Sequence, residues 1–394
     1  MILHLHTDSR FADYTIDLFD AEQNVHLVGK RFPRMKLNSI NKSNLNRIHH
    51  YVFGWSSARK LIRRFDPKLV VIHFLDLRWA EFIFKLPDDV RIVWIFWGAD
   101  GYRLPKMRER LYDPITKKYQ RGHKDSGISK LKAELNVSSV LNLRFILSLG
   151  FEVLRNIRSR SSSFILDRLF ERLDYCGTFL KEDYELLQRN YSFGMKWVDA
   201  RFVSLEKLLG EMSDDFIHGQ NLLLGNSCTL ENNHLDAISQ MDEINFKSND
   251  RVICPLNYGK DLGAYQQAVV SQGVTSFGSR FEPLLTPLNL SDYTQVLKSC
   301  AYAIMFHNRQ QAFNNILALV YLGVKVYLKP ENTIYLFLKR IGCIVFSTDE
   351  LGRTGRLIPL SKEEQKANRA VVEREFSLKR IASSANEIEK LIHV

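Results

Sequence analysis

Residues 92–102 read "IVWIFWGADGY", six large apolar residues in a row followed by Gly98, Ala99 and Asp100. Unbroken apolarity, without alternation, is typical of a strand in a parallel sheet that helices cover on both faces. Ligands of open α/β sheets bind outside the carboxyl ends of the strands, so an acid in the first turn after such a strand is well placed for chemistry. The alternative role for Asp100 is that of a helix N-cap.

Similar apolar runs alternate with helical patterns along the chain, which predicts an α/β fold built from βαβ units. In the first half, the predicted strands are residues 2–5, 25–29, 69–74, 92–97 and 175–180, and a crossover helix is predicted over residues 43–65. In the second half, the predicted strands are residues 221–227, 251–259, 273–278, 302–307, 325–330 and 343–347. The predicted helices of that half are residues 231–243, 260–272, 291–300, 310–322 and 331–341, with a helix or helix pair over 361–394.

The length of the chain, 394 residues, exceeds the size at which a single hydrophobic core usually keeps growing, so two domains are expected. The sequence becomes polar near residues 205–220, which places the predicted boundary there. The predicted domains are residues 1–215 and residues 216–394, the second ending in a C-terminal helix. Two βαβ halves of this kind would enclose a cleft.

The composition, 45% apolar and 25% charged, is typical of a globular protein. No stretch of 18 apolar residues is present, and the start "MILHLHTDSR" predicts a first strand rather than a signal peptide. The five cysteines are scattered and lack C-x-x-C spacing. They predict reduced, mostly buried thiols in a cytoplasmic protein, rather than disulfides or a zinc site.

The net charge of +11 is concentrated in one region, since residues 103–172 hold 16 Lys/Arg against 7 Asp/Glu. A local basic surplus indicates an anionic partner, such as a nucleic acid, a phosphorylated ligand or an acidic lipid. Apolar residues recur there at helical spacing: Phe145, Ile146, Leu149, Val153 and Ile157. Residues 105–170 are therefore predicted to be a basic amphipathic insertion that lies in a membrane interface. The alternative is that its apolar face packs on the domain core.

The stretch "LLLGNSCTLENNH", residues 222–234, is a first candidate for ligand binding. Its predicted strand ends at Gly225, Asn226 and Ser227, shortly before a helix. Glycine lets a backbone approach a ligand closely, and free N–H groups at a helix start attract phosphate. The glycine pattern of a dinucleotide fold and the lysine of a P-loop are absent, which argues against NAD or ATP chemistry. An ordinary strand-to-helix turn is the alternative.

Residues 305–332 contain a second candidate. A predicted strand ends near His307, and the residues that open the next helix are Arg309, Gln310 and Gln311. An arginine there can bind phosphate through two N–H groups and adds to the helix dipole. Glu331 and Asn332 begin a further helix, where an acid can accept hydrogen bonds from ribose hydroxyls or simply cap the helix.

His73 lies near the end of another predicted strand, in "LVVIHFLD". A lone histidine at such a position is more often structural than catalytic. Together with Asp100, however, it would face the cleft, and a histidine and a carboxylate make a reasonable acid/base pair.

Taken in order, these motifs resemble glycosyltransferase family 56, the dTDP-4-acetamido-4,6-dideoxygalactose transferases of enterobacterial common antigen synthesis. The residues that carry the resemblance are His73, Trp97 to Asp100, Gly225, Asn226, Ser227, Asn232, His234, Pro255, Tyr258, Arg309, Gln310, Gln311, Glu331 and Asn332. The chain departs from the family pattern after Arg-Gln-Gln, where Ala312, Phe313 and Asn314 stand in place of glycines, and before Tyr258, where Asn257 replaces a glycine.

The resemblance implies a GT-B architecture, in which two Rossmann-like domains enclose a cleft and bind the acceptor and the nucleotide donor respectively. It implies no metal and no cofactor, because such enzymes generally neutralise the leaving diphosphate with helix dipoles and basic side chains. The implied reaction moves 4-acetamido-4,6-dideoxygalactose from a dTDP-sugar to an undecaprenyl-diphosphate-linked saccharide. The enzyme would sit on the cytoplasmic face of the bacterial inner membrane, with residues 105–172 on the anionic surface.

The resemblance also implies roles for the matched residues. Asp100 is the first candidate for the catalytic residue at the acceptor hydroxyl, and His73 is the second. The donor-binding residues would be Gly225, Asn226, Ser227, Asn232, His234, Tyr258, Arg309, Gln310, Gln311, Glu331 and Asn332, with Glu331 on the ribose.

Three alternatives remain at this stage. The donor could be GDP-fucose or a UDP-sugar, and the enzyme could be a sugar-nucleotide epimerase, whose chemistry also occurs on this scaffold. The third alternative, a basic nucleic-acid-binding protein, is disfavoured because no recognised motif is present and the aromatic residues lie in apolar strands.

Overall fold

The computed structural model describes residues 1–7, 12, 15–29, 47–51, 55–133, 164–205, 217, 219–243, 251–351 and 357–394. The predicted amphipathic face over residues 145–157 and most of the predicted domain boundary lie outside these residues. The basic insertion is thus described only over its first part, up to residue 133, and from residue 164 onward.

Seven parallel strands form the first sheet, in the order β3-β2-β1-β4-β5-β6-β7. The strands are β1 (Ile2–His6), β2 (Asn24–Gly29), β3 (Ile48–Tyr51), β4 (Leu69–His73), β5 (Arg91–Ile95), β6 (Tyr175–Thr178) and β7 (Lys196–Asp199). Its central strands are buried along their length, as their unbroken apolarity predicts.

Six parallel strands form the second sheet, in the order β10-β9-β8-β11-β12-β13. The strands are β8 (Asn221–Leu224), β9 (Val252–Pro255), β10 (Phe281–Leu284), β11 (Cys300–Met305), β12 (Lys325–Leu328) and β13 (Phe346–Ser347). Both sheets have the strand order of a Rossmann fold, in which the chain reverses direction next to the first strand. The switch points therefore lie between β1 and β4 and between β8 and β11.

Helices connect the strands and cover both faces of each sheet. In the first half they are α1 (Trp55–Phe65), α2 (Ala80–Ile83), α3 (Ala99–Tyr102), α4 (Pro105–Arg108), α5 (Pro114–Ala133) and α6 (Lys181–Asn190), and residues 164–172 are also helical. In the second half they are α7 (His234–Glu243), α8 (Ala264–Phe277), α9 (Leu290–Lys298), α10 (Phe313–Leu322), α11 (Thr333–Ile341), α12 (Lys362–Glu375) and α13 (Leu378–Lys390). None of the described helices is long and apolar enough to cross a membrane.

The prediction of a strand over residues 273–278 was wrong, because this segment is the end of helix α8. The buried residues Tyr265, Val269, Gly273 and Phe277 follow one another at intervals of four, which is the spacing of one helix face. A side chain at position 273 would collide with the Phe281 ring, which packs there on the glycine backbone. The strand lies further along, at β10.

The prediction of one helix over residues 43–65 was also wrong. Residues 48–51 form β3, which extends the first sheet by pairing with β2, and the helix begins only at Trp55. Strand β7 at the opposite edge was not predicted. Both are short edge strands with polar residues, and they lack the apolar runs that identify the central strands.

The two C-terminal helices pack on different sheets. Helix α12 contacts α10 of the second sheet, whereas α13 returns to the first sheet and buries Ala385 and Ile388 beside Ile2 and Phe19. The Arg201 guanidinium, at the end of β7, binds the backbone and side chain of Glu375 where the chain crosses over. The division at residue 215 stays a prediction, and the last helix lies on the first sheet.

Four histidines from three neighbouring strands are buried together at the switch point of the first sheet. His4 and His6 lie on β1, with His26 of β2 and His73 of β4 opposite them in register. The His6 and His73 rings are stacked with centroids 4.4 Å apart, and His4 Nδ1 lies 3.0 Å from His73 Nε2. Burial lowers the pKa of His4 to about 4 and holds the pKa values of the other three well below 6.5.

These neutral rings predict a protein that loses stability in mild acid. The unfolded chain protonates its histidines below about pH 6.5, whereas the folded chain excludes those protons, so stability falls as the pH drops from 6.5 toward 4. Each such ring contributes about 1.4 kcal/mol per pH unit in that window. Urea unfolding midpoints at pH 7.5, 6.5 and 5.5, followed by circular dichroism, measure the loss.

Replacing one ring tests the cause. His6→Phe removes one titrating group and lowers the pH slope of the unfolding free energy by about one proton. His393→Phe, at an exposed position, is the matched control and keeps the wild-type slope. Burial also raises the pKa values of Asp100 and Asp183. These two acids change the pH slope of the unfolding free energy in the direction opposite to the histidines, and they do so equally in all variants. Equal slopes for His6→Phe and wild type would contradict the assignment.

Candidate active site

A cavity of about 570 Å³ lies between the carboxyl edges of the two sheets. One wall is apolar and aromatic, and the other carries amides, a tyrosine and an arginine. The first wall is formed by Ile95, Phe96, Trp97, Ala99, Phe179, Ala200, Phe202, Val203, Ala312, Phe313, Leu317 and Phe376, with Arg201 as a charged residue among them. The polar wall is formed by Asn226, Tyr258, Arg309, Gln310, Gln311, Asn314 and Asn315. The predicted cleft is therefore present, and five of the eleven predicted donor-binding residues line it: Asn226, Tyr258, Arg309, Gln310 and Gln311.

The loop after β8 is shaped by Gly225 and Asn232. Gly225 has a φ of +69°, and a side chain there would approach His234 Nε2 to 2.6 Å. The buried Asn232 side chain accepts a hydrogen bond from the Asn226 backbone N–H and donates to the Ser227 carbonyl and the Thr229 hydroxyl. Asn232 thus holds the loop from inside.

Two side chains connect this loop to its neighbours in the cavity wall. Asn226 Nδ2 donates to the Tyr258 hydroxyl at 3.3 Å, and Gln311 Nε2 donates to the Thr229 hydroxyl at 3.1 Å. The predicted donor residues of three separate segments therefore meet at the ends of β8, β9 and β11. Burial raises the pKa of Tyr258, which keeps its hydroxyl protonated at neutral pH.

The loop after β11 is held by Asn332. This fully buried residue is the N-cap of α11, and its side-chain amide donates to the carbonyls of His307 at 2.6 Å and Arg309 at 3.1 Å. Asn332 therefore acts both as a cap and as the support of the loop that presents Arg309. The largest influence on the Arg309 guanidinium is burial, which lowers its pKa, while nearby Glu231 opposes the shift.

Six buried polar atoms at this edge of the second sheet have no hydrogen-bond partner in the described part of the chain. They are Asn226 Oδ1, Glu231 Oε2, His234 Nε2, His307 Nε2, Gln310 Oε1 and Gln311 Oε1. Buried polar groups in native proteins are nearly always paired, and each unpaired one needs an explanation. Such a concentration at a switch point is the signature of a site whose ligand supplies the missing partners.

Glu231 was not among the predicted site residues, although it lies inside the motif that identified the loop. Its carboxylate is buried and binds Lys260 through Oε1, which leaves Oε2 toward the unpaired cluster. Glu331, by contrast, is exposed, and neither acid is among the residues that line the cavity. Among charged groups, Glu231 has the largest effect on the pKa of the predicted phosphate-binding Arg309, which it raises.

The turn formed by Gly98, Ala99 and Asp100 after β5 is closely packed. Gly98 has a φ of +94°, and a side chain there would come within 2.4 Å of Gln310 Oε1. The Asp100 carboxylate is buried and accepts hydrogen bonds from the backbone N–H groups of Leu75 and Trp97 and from the Trp94 indole. Burial raises the pKa of Asp100 to about 6, against the effect of these donors.

Asp100 and His73 lie behind the cavity wall rather than in it. Trp97 and Ala99 of the same turn line the cavity, and the Asp100 carboxylate points away from them into the first sheet. His73 contacts the edge of Phe202, whose other side faces the cavity. The catalytic roles predicted for both residues stay predictions.

The hydrogen bonds of the histidine cluster fix its tautomers. Asn24 donates through Nδ2 to Glu389 on α13, so Asn24 Oδ1 accepts from His4 Nε2. Neutral His4 then accepts at Nδ1 from His73 Nε2, which leaves His73 Nδ1 without a proton. These hydrogen bonds connect helix α13 to His73, which contacts Phe202 in the cavity wall.

The start of α5 is held by the second sheet, although its chain leaves from the first. Asp236 on α7 accepts hydrogen bonds from the backbone N–H groups of Ile115 and Thr116 and from the Thr116 hydroxyl. Asn233 binds the backbone of residues 111 and 113, and Lys329 forms an ion pair with Asp113. The described start of the basic insertion therefore bridges the two halves.

Similar solved structures identify the fold of this chain. A glycosyltransferase from Rickettsia africae ESF-5 aligns over 100% of this chain and 98% of its own, with a TM-score of 0.56 and 12% identity. Sucrose-phosphate synthase from Thermosynechococcus elongatus aligns over 100% of this chain and 98% of its own, with a TM-score of 0.60 and 8% identity. The HepE protein of Anabaena, crystallised with UDP and glucose, aligns over 100% of this chain and 99% of its own, with a TM-score of 0.54 and 13% identity. At these identities the likeness shows the fold, which is GT-B.

The family match adds the activity. Residues 206–365 match the family described as 4-alpha-L-fucosyltransferase glycosyl transferase group 56. The chain is therefore a glycosyltransferase with a nucleotide-sugar donor and an acceptor, and its predicted resemblance to family 56 is confirmed. The matched segment contains the two loops of the polar wall but neither His73 nor Asp100.

The cap that Asp236 provides can be tested by its removal. Asp236→Ala leaves two backbone N–H groups and one hydroxyl without their acceptor, which should lower the free energy of unfolding by about 1–3 kcal/mol. Asp242→Ala, at an exposed position of the same helix, is the matched control. Urea denaturation of both variants gives the comparison, and equal stabilities would show that the bridge contributes nothing.

Proposed function

We propose that this glycosyltransferase transfers 4-acetamido-4,6-dideoxygalactose from a dTDP-sugar to an undecaprenyl-diphosphate-linked saccharide. The ordered motifs and the family match over residues 206–365 support this donor class. The donor lies on the polar wall of the cavity, and the acceptor enters from the aromatic wall below the first sheet. No metal or other cofactor is part of the proposal.

The cluster of unpaired buried atoms carries the proposal. Four of the six are oxygens that can accept a hydrogen bond, from Asn226, Glu231, Gln310 and Gln311. A nucleotide sugar offers matching donors, namely the sugar hydroxyls, the ribose hydroxyls and the N–H of a pyrimidine base. On this basis Glu231 is the better placed acid for a pair of hydroxyls, in the role that the sequence predicted for Glu331.

Arg309 and the backbone N–H groups of the two loops would hold the diphosphate. A half-buried arginine at this position would stabilise the negative charge that develops on the diphosphate as the glycosidic bond breaks. Asn332 holds the Arg309 backbone and the guanidinium donates to the Gln310 carbonyl, so the arginine is positioned before the donor binds. This arrangement supplies the charge neutralisation that other transferases obtain from a metal ion.

Asp100 and His73 remain the proposed catalytic residues on the acceptor side, and their contacts support a positioning role in the present conformation. With three N–H donors on its carboxylate, Asp100 fixes the turn that places Trp97 and Ala99 in the cavity wall. His73 supports Phe202 from below in the same way.

The basic insertion would place the enzyme on the cytoplasmic face of the inner membrane. Seven exposed cations of α4, α5 and the adjoining loops carry this surface: Arg103, Lys106, Arg108, Arg110, Lys117, Lys118 and Arg121. Glu109 is the exposed acid among residues 103–123, since Asp113 is paired with Lys329. Two shallow grooves share Tyr112, Lys117 and Arg121, and they fit phosphate groups of a lipid surface or of the acceptor.

Nucleotide binding tests the donor assignment. Thermal unfolding is measured with dTDP, UDP, GDP and ADP, each with and without EDTA. A ligand at a hundredfold excess over its Kd stabilises the folded state by about 2.7 kcal/mol. We expect a shift with dTDP that EDTA leaves unchanged. A shift with UDP or GDP alone would replace the proposed donor, and no shift with any nucleotide would overturn the site.

Variants locate the site. Arg309→Gln and Asn226→Ala should each weaken nucleotide binding at least about tenfold, because each removes a polar group from the cavity lining that would contact the nucleotide. Arg280→Gln, on the far end of α8 and outside the cavity, is the control for loss of a positive charge. Equal loss in the control would mean that only the overall charge matters.

Membrane binding has its own test. Combined Lys117→Glu, Lys118→Glu and Arg121→Glu should reduce co-sedimentation with phosphatidylglycerol vesicles by a factor on the order of a hundred, at about 1 kcal/mol per cation. The same reversal at Lys60, Arg63 and Arg64, exposed cations of α1, is the matched control. Equal losses at both places would contradict a specific surface. Binding to phosphatidylcholine alone should be absent.

A further inference from the structure

Two adjacent carboxylates of α6 contact opposite ends of α11. Asp183 lies beside Thr333, the first residue of α11, and Glu182 forms an ion pair with Arg340 in its last turn. Helix α6 follows β6 of the first sheet, and α11 follows β12 of the second. This pair of contacts therefore connects the two halves on the side of the cleft where the phosphate-binding loop begins.

Both members of the pair are buried, and Asp183 is the more deeply buried, with 1% of its surface exposed against 6% for Glu182. Its Oδ1 accepts a hydrogen bond from the Tyr102 hydroxyl at 2.7 Å. The same hydroxyl lies 3.2 Å from Thr333 Oγ1 and is hydrogen-bonded to the backbone of Gln310. Tyr102 thus links Asp183 to both the helix and the loop of the polar wall.

Two short series of contacts connect Asp183 with the backbone around Arg309. Through the Tyr102 hydroxyl, Asp183 holds the backbone of Gln310, the residue after Arg309. Through Thr333, it holds the N-terminus of α11, where the preceding residue Asn332 supports the Arg309 carbonyl. A displacement at Asp183 would therefore move the arginine from both sides.

We propose that Asp183 is a positioning residue that acts through Tyr102 and Thr333 to hold the Arg309–Gln310 loop in its donor-binding conformation, and that its ionisation releases the loop. The inference rests on the proposed function of this loop. Asp183 is not among the residues that line the cavity.

The surroundings of Asp183 favour its neutral form. Burial, with Glu182 and Asp100 nearby, raises the pKa of Asp183 to about 7, although the hydroxyls of Thr333 and Tyr102 oppose the shift. The Cys176 thiol on β6 is the other titratable group that faces it, and Arg340 is engaged by Glu182. A carboxylate ion here is costly unless water enters between α6 and α11, which would separate them.

The test compares the pH dependence of nucleotide binding in wild type and Asp183→Asn. The amide keeps the shape and the acceptor oxygen of the neutral acid but cannot ionise. From pH 6 to pH 8, the wild-type affinity for dTDP should fall about tenfold more than that of Asp183→Asn. Titration calorimetry measures both, and the ionisation of the nucleotide itself affects the two proteins equally. Parallel pH profiles would overturn the proposal.

Two further variants separate positioning from a general structural role. Glu185→Gln, at an exposed position of α6, is the matched control and should keep the wild-type profile. Tyr102→Phe removes the hydroxyl that links Asp183 to Gln310, so it should weaken nucleotide binding at pH 6, where the wild-type link is intact. Unchanged affinity in Tyr102→Phe would overturn the route through Tyr102, even if Asp183→Asn failed to fold.

Failure of the proposed function is distinguishable from failure of this inference. If no nucleotide binds any variant, the donor site is wrong. The contacts of Asp183 with Tyr102 and Thr333 are then tested without ligand, by the difference in melting temperature between pH 6 and pH 8. Wild type should lose more stability than Asp183→Asn over that range, because a group with a raised pKa stabilises the fold only while it is protonated. Equal losses would overturn the inference independently.

Discussion

The structure depends on one topological constraint: in a parallel sheet all carboxyl ends lie at one edge, and the chain reverses its winding next to the first strand. That reversal opens a crevice that no crossover helix covers. Two sheets with the same strand order therefore bring two crevices to a common cleft. Several of the fully buried polar residues lie near one of these two points, among them His4, His73, Asn232 and His307.

The two crevices are filled differently. In the first sheet, four neutral histidines, Phe19 and Phe202 occupy the space after β1 and β4, and the unpaired buried atoms there include ring nitrogens of His6, His26 and His73 inside the stacked cluster. In the second sheet, the unpaired atoms after β8 and β11 include side-chain oxygens of Asn226, Gln310 and Gln311, which line the cavity. Both crevices therefore leave polar atoms unpaired, but those of the second include oxygens of residues in the cavity wall. This difference supports the proposed placing of the donor on the second half.

The sequence predicted the central strands and the two loops of the polar wall because their signals are local. An apolar run that ends at Gly225 or His307 identifies both the strand and the point where the site begins. Edge strand β3 and helix α8 were misassigned because pairing partners and helix faces decide them, and apolarity alone does not. Asp236, Asn233 and Asp183 could not be found at all, since their partners lie about 80 to 120 residues away in the chain.

Glu231 is a residue that the sequence could locate only in part. It stands next to Asn232 in the stretch 222–234, but burial decides whether Glu231 or Glu331 is the better candidate for binding hydroxyls, and the neighbours of neither residue reveal its burial. Both acids open a helical segment in the sequence, and both are followed by an asparagine. In the structure, one is enclosed beside Arg309 and the other is exposed.

One departure from the family pattern affects the backbone of the loop after β11. Ala312, in a place where the pattern has glycine, adopts a φ of +55°, the left-handed conformation that glycine favours. For an L-residue this conformation costs about 1–2 kcal/mol. The loop therefore keeps its course despite an unfavourable residue, because Asn332, Gln311 and the packing of Phe313 against Phe179 hold it on either side. A backbone that adopts this conformation at that cost is held by its surroundings, which agrees with the proposed role of the loop in presenting Arg309 to the diphosphate.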